Sequence, residues 1–128
     1  MTDSQLIQFF EENKLKEGVI TTDSGLQYKV LAEGEGKQPG PTDLVRVHYA
    51  GRLLDGTEFD SSYKRGTPTE FPVNAVIKGW TEALQLMKEG TKLEVYIIPE
   101  LGYGAQGAGG VIPPNAGLIF EVELIKVL

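Results

Sequence analysis

Few side chains in this 128-residue chain could do covalent chemistry. It has no cysteine, so thiolate nucleophiles, disulfides and zinc-knuckle sites drop out together. His48 is the single histidine, and a Ser-His-Asp hydrolase would need it as base. It falls on the polar face of a strand, opposite Tyr49, and Ser61 and Ser62 lack a nucleophile-elbow setting. His48 therefore reads as an ordinary exposed strand residue. The acidic residues show no calcium-loop spacing, and neither metal nor cofactor is expected. Gly102-Tyr-Gly104-Ala-Gln-Gly107 matches G-x-G-x-x-G, yet a dinucleotide site needs a helix directly after the glycines. Here GAGGVIPPN follows, and its two prolines forbid one, so the glycines read as loop permissiveness. Asp60, in Phe59-Asp60-Ser61-Ser62, is more interesting, although an Asp before Ser-Ser is by itself a turn or capping residue.

The elements that must position these residues are mostly strands. One stretch differs: in Asn74 to Met87, the apolar residues Val76, Ile77, Trp80, Ala83, Leu84 and Met87 fall on one helical stripe. Asn74 is the expected N-cap, and Gly90 stands where a C-cap glycine would sit. Around this helix the chain reads as strand or turn. Leu26 to Glu33, Leu44 to Leu54, TEFD at 57 to 60, Glu70 to Val73, Lys92 to Ile98 and Leu118 to Val127 are the strand candidates. Val45, Val47 and Tyr49 share one face of the second, with Arg46 and His48 on the other. On the last strand Leu118, Phe120, Val122 and Leu124 face in, and Glu121 and Glu123 face out. Ile20 to Gly25 reads as a turn, 61 to 69 as an irregular segment, and Asp55-Gly56 as a tight turn. The pattern predicts an α+β fold, an antiparallel sheet of about five strands wrapped around one short amphipathic helix. The 99 to 117 connection is too long for filler, and its Leu101, Tyr103, Val111 and Ile112 should pack on something.

Residues 3 to 17 predict a second helix, capped by Asp3 or Ser4 and ended by Gly18. Its Leu6, Ile7, Phe9 and Phe10 need a cover: the domain's own surface, a longer helix, or another subunit. Residues 1 to 18 are taken as a helical leader and 19 to 128 as the main domain. A net charge of −6 argues against nucleic acid and anionic membranes as partners. No apolar run is long enough for membrane insertion, and the N-terminus lacks a signal peptide's basic and apolar regions. As written, a cytoplasmic monomer is expected. A missing N-terminal arm would make it a dimer in the periplasm or at the cell surface.

Three stretches, VHYAGRLLDGTEFDSS (47 to 62), VIKGWTEAL (76 to 84) and YGAQGAGGVIPPNAGLIFEVELIKV (103 to 127), together resemble the FK506-binding-protein (FKBP) type of peptidyl-prolyl cis-trans isomerase. The leader FFEENKLKEGVITTDSGLQYKVL further resembles the macrophage-infectivity-potentiator and 22-kDa bacterial group. The resemblance implies a folding isomerase, with chaperone-type clients and FK506- or rapamycin-type macrolides as ligands. Proline-containing peptides and unfolded proteins would be its partners. It implies that Asp60, Trp80, Tyr103 and Phe120 are catalytic. Tyr49, Phe59, Arg65, Val76, Ile77, Val111 and Ile112 would bind substrate, Arg65 by orienting the Asp60 carboxylate. Thr69 stands where many members carry Phe, and Ala108 where some carry a bulky side chain or His. Both departures touch the rim, and hence substrate preference. A binding module of the same fold, which holds proline-containing partners without turnover, is the alternative.

Overall fold

The computed structural model describes residues 3–128. Met1, Thr2 and the side chain of Asp3 lie outside the described part, and with them the expected Asp3 cap. Ser4 sits within the first helix, α1 (Asp3–Asn13), rather than at its cap. In order the chain then forms β1 (Val19–Thr21), β2 (Gln27–Ala32), β3 (Leu44–Leu53), β4 (Glu58–Ser61), α2 (Ser62–Arg65) and β5 (Thr69–Pro72). Helix α3 (Lys78–Gln85), β6 (Lys92–Ile97) and β7 (Leu118–Val127) complete it.

All seven strands join one antiparallel sheet in the order β1-β2-β6-β7-β3-β4, with β5 also paired to β3. That is the expected α+β architecture with more strands than anticipated. The addition is β1: Ile20 and Thr21 pair with Tyr28 and Gln27, so the turn expected at 20 to 25 narrows to the link between β1 and β2. A three-residue edge strand carries too little alternation to register in sequence.

The inner face of the sheet closes on α3. Trp80, Ala83, Leu84 and Met87 are buried with Val45, Val47, Val95, Val122 and Leu124 in one cluster. The helix is shorter than predicted, and Asn74 and Gly90 do not cap it. A 3₁₀ turn occupies Val73–Ala75, Val76 is extended, and Ile77 takes the N-cap position with φ −58° and ψ 152°. Two adjacent β-branched residues disfavour a first helical turn there, and Thr81 Oγ1 holds the Val73 carbonyl at 2.9 Å. The C-cap is Leu86. Gly79 lets the helix sit close to β6, for a Cβ would fall 2.9 Å from Ile97 Cδ1.

The outer face receives α1. Phe10 is buried with Tyr96 and Ile119, and Leu6, Phe9, Val19, Leu54 and Ile98 pack around them. The cover for the leader's apolar residues is thus the domain's own sheet, Ile7 excepted, which is exposed. Helix α1 ends at Asn13, not 17. Buried Asn13 donates its amide to Gln27 Oε1 at 2.8 Å, and Gln27 Nε2 donates to the Phe10 carbonyl at 3.0 Å. This pair fixes the helix end over β2, and the chain turns at once into β1. Among the described residues no helix is long and apolar enough to cross a membrane.

Candidate active site

A cavity of about 550 Å³ opens on the inner side of the sheet, at the N-terminal end of α3. β3 contributes Tyr49, β4 Phe59 and Asp60, and β5 Thr69 and Phe71. Ala75, Val76 and Ile77 come from the extended lead into α3, Trp80 from the helix, Tyr103 from the long connection and Phe120 from β7.

Trp80 is the hub of the aromatic wall. Tyr49 and Phe120 meet it edge to face, with ring centroids at 5.0 Å and 5.2 Å, and Phe71 lies tilted at 5.4 Å. Phe59 stands edge-on to Phe120 at 5.5 Å. Such edge-to-face contacts suit the ring quadrupoles and fix each ring's angle. Gly51 makes room for them, since a Cβ there would come within 2.5 Å of Phe120 and 2.7 Å of Phe59. The Trp80 indole N–H is buried without a hydrogen-bond partner among the described residues.

One charged group breaks this apolar lining. Tyr49 Oη donates to Asp60 Oδ2, and Arg65 Nη1 pairs with Asp60 Oδ1. Arg65 Nη2 also donates to Tyr49 Oη at 3.2 Å and to Thr69 Oγ1 at 3.4 Å. Burial alone would raise the Asp60 carboxyl, but the Tyr49 hydroxyl and the Arg65 guanidinium outweigh it and hold it below the usual carboxylate range. Tyr49 moves the other way, first by burial and then because Asp60 accepts its proton in a hydrogen bond. Tyr103 is raised by burial and by the Asp60 charge, so both phenols stay protonated donors at neutral pH. At the other side of the cavity, no acceptor among the described residues takes the Ile77 backbone N–H.

Nine of the eleven site residues expected from sequence thus line the cavity, or in the case of Arg65 contact a lining residue only through Asp60, Tyr49 and Thr69. Val111 and Ile112 are not brought there. Val111 is 58% exposed at the tip of the connection, and Ile112 is buried in the main core, where Ala108 accepts its backbone N–H. The loop folds back on itself, so these two neighbours point in opposite directions. Phe71 and Ala75 are additions. Strand alternation could have found Phe71, two residues from Thr69 and on the same face of β5. His48 also needs correction: it is half-buried, stacked on Tyr63 at 4.7 Å, with Nδ1 at 2.8 Å from Ser62 Oγ. Among the described residues no acidic, histidine or cysteine cluster could hold a metal.

Residues 35–125 match the family model described as FKBP-type peptidyl-prolyl cis-trans isomerase. The chain belongs to this family. Residues 3–30 match the domain amino-terminal to FKBP-type isomerases. The chain is 58% identical over 122 residues to an FKBP-type 22 kDa peptidyl-prolyl cis-trans isomerase of Escherichia coli, covering 95% of itself and 59% of that relative. It is also 58% identical to the peptidyl-prolyl cis-trans isomerase Mip of Coxiella burnetii, covering 93% of itself and 52% of Mip. The crystal structure of FkpA from Escherichia coli superposes with a TM-score of 0.93 at 45% identity, over 98% of this chain and 58% of that one. The chain therefore spans little more than half the length of these FKBP relatives.

Proposed function

We propose that the cavity catalyses cis–trans rotation about X-Pro bonds in peptides and unfolded proteins. The observation that carries the reading is one constellation: an aromatic cavity floored by Trp80, with an ionised Asp60 clamped at its edge by Tyr49 and Arg65. Rotating an amide costs about 18–20 kcal/mol because resonance is lost. Unaided X-Pro isomerisation therefore takes tens to hundreds of seconds. No bond is made or broken. A catalyst needs only to bind the twisted amide better than either planar form. The twisted amide is less polarised, and a water-excluding apolar cavity favours it.

In this reading the proline ring rests on Trp80, between Tyr49, Phe59, Val76, Ile77 and Phe120. The free Ile77 N–H and the Tyr103 hydroxyl donate to substrate carbonyls and fix its orientation. Asp60 has both oxygens engaged and a depressed pKa, which suits an electrostatic and positioning role better than a general base. Phe71 and Thr69 shape the wall on which the residue beside proline would lie. The same apolar volume suits FK506- and rapamycin-type macrolides.

The test is isomerisation of an Ala-Leu-Pro-Phe-type peptide, with a macrolide as competitor. Acceleration that the macrolide abolishes supports the reading. Unchanged acceleration in folded Asp60→Ala or Trp80→Leu variants sinks it. Macrolide binding without acceleration would make the chain a binding module of the same fold.

A further inference from the structure

Strand β3 has a gap along one edge. Val47 pairs with Thr69 of β5 and Ala50 with Ser61 of β4, but between them the neighbouring chain leaves the sheet as α2. The main chain of Tyr49 lies in this gap and is met there by one fully buried side chain, Ser62. Ser62 Oγ accepts the Tyr49 N–H at 2.7 Å and lies 3.2 Å from the Tyr49 carbonyl, to which it can donate. Its third neighbour is His48 Nδ1, at 2.8 Å.

A hydroxyl has a single proton to give. When His48 is neutral with Nδ1 bare, that proton goes to Nδ1, the shorter contact, and the Tyr49 carbonyl loses it. When His48 is protonated, Nδ1–H must donate to Ser62, and the serine proton is left for the Tyr49 carbonyl. A neutral ring protonated at Nδ1 gives the second arrangement as well, so ionisation redirects the serine proton from the tautomer with Nδ1 bare, and the imidazolium admits the second arrangement alone. Tyr49 matters because its ring abuts Trp80 and its hydroxyl holds Asp60.

We propose that Ser62 is a positioning residue of the isomerase site, which sets the main chain of Tyr49 and whose hydroxyl orientation follows the ionisation of His48. This rests on the isomerase reading above. The surroundings of His48 are mixed in charge. Glu123 of β7 pairs with it in register, with Glu121 further along; Tyr63 of α2 stacks on it, and Lys92 of β6 lies over the far ring. Arg46 on its own strand is engaged by Glu70, and Lys64 of α2 by Glu58. His48 is the single histidine, and imidazole is the side-chain type that changes its charge closest to neutral pH.

Isomerisation of an end-blocked Ala-Leu-Pro-Phe peptide, followed by NMR exchange from about pH 5 to 8, reads this directly. In the unmodified protein kcat/KM should be higher on the acid side, roughly two- to threefold, with the midpoint of the His48 ring signals. The Tyr49 amide resonance should move with that same midpoint, an observation that needs no variant. Ser62→Ala should lower kcat/KM about tenfold, mostly in kcat, and flatten the pH profile. Ser62→Thr, which keeps the hydroxyl, should keep the step, and His48→Phe should lose it. A Tyr49 amide indifferent to the His48 titration, or a folded Ser62→Ala protein with unmodified rate and profile, overturns the proposal. If the unmodified protein does not accelerate isomerisation, the site reading fails instead, and the Tyr49 amide still tests the Ser62–His48 link.

Discussion

Asp60 looks like a turn residue in sequence and like the electrostatic centre of the cavity in space. Its setting is made by two residues, one eleven positions before it and one five positions after. Replacing it with Asn keeps the shape but removes the charge that holds Arg65. A charge-assisted hydrogen bond is worth about 1.5–3 kcal/mol, so Asp60→Asn should lower kcat/KM by roughly ten- to a hundredfold while circular dichroism stays unchanged. Tyr49→Phe removes a donor that depresses the Asp60 carboxyl. An NMR titration of the Asp60 side chain should then show its pKa moved upward from its value in the unmodified protein. The sign for stability follows: a carboxyl depressed below its ordinary value of 3.8 stabilises the fold above that value. The contribution is lost as pH falls through the lower, folded value. The Asp60–Arg65 pair is thus intact over the neutral range in which isomerisation would be measured.

At the scale of elements, α1 and α3 illustrate two ways a helix is bounded. The start of α3 is set by Val76 and Ile77, which remain extended, line the cavity and leave the Ile77 N–H without an acceptor among the described residues. A helix beginning at Asn74, as periodicity suggests, would have spent that N–H near its own first turn. The end of α1 is set by the buried amide pair Asn13–Gln27. Asn13→Ala leaves the buried Gln27 oxygen without its donor, which costs about 1–3 kcal/mol. The expected outcome is a lower melting temperature and faster amide exchange through α1, with isomerisation little changed, because α1 lies on the opposite face of the sheet from the cavity. Equal loss of activity and α1 protection would show that the two faces are coupled.

For the whole molecule, the sheet is sealed at one end by a turn between α3 and β6. Glu89 Oε2 accepts the Val127 N–H at 2.7 Å and Oε1 accepts that of Lys37 at 3.2 Å, so one carboxylate ties the last strand to the 34 to 41 loop. Those two backbone donors, Val127 first, pull its pKa below the ordinary 4.5. Its contribution is therefore complete above that value and lost as pH falls through the folded value. Glu89→Gln should melt below the unmodified protein at pH 7, and the gap should shrink on acidification to about pH 3. A gap constant across that range would show that the charge plays no part.

Much of this protein was already legible in one dimension. Alternation in β3 and β7, and the stripe through Trp80, Leu84 and Met87, follow from the periods of strand and helix, so the antiparallel sheet and its inner helix could be read directly. The residue types around Asp60, Trp80, Tyr103 and Phe120 marked the site through their resemblance to one isomerase family. Other features exist only in the folded chain. The three-residue β1 and the amide pair ending α1 depend on partners distant in sequence. The 99 to 117 connection turns Ile112 into the core and Val111 outward, because a loop without period does not announce which side chain points where. His48 and Ser62, an idle histidine and a spare serine on paper, meet at the backbone of Tyr49 because a gap in strand pairing leaves two polar groups that something must satisfy.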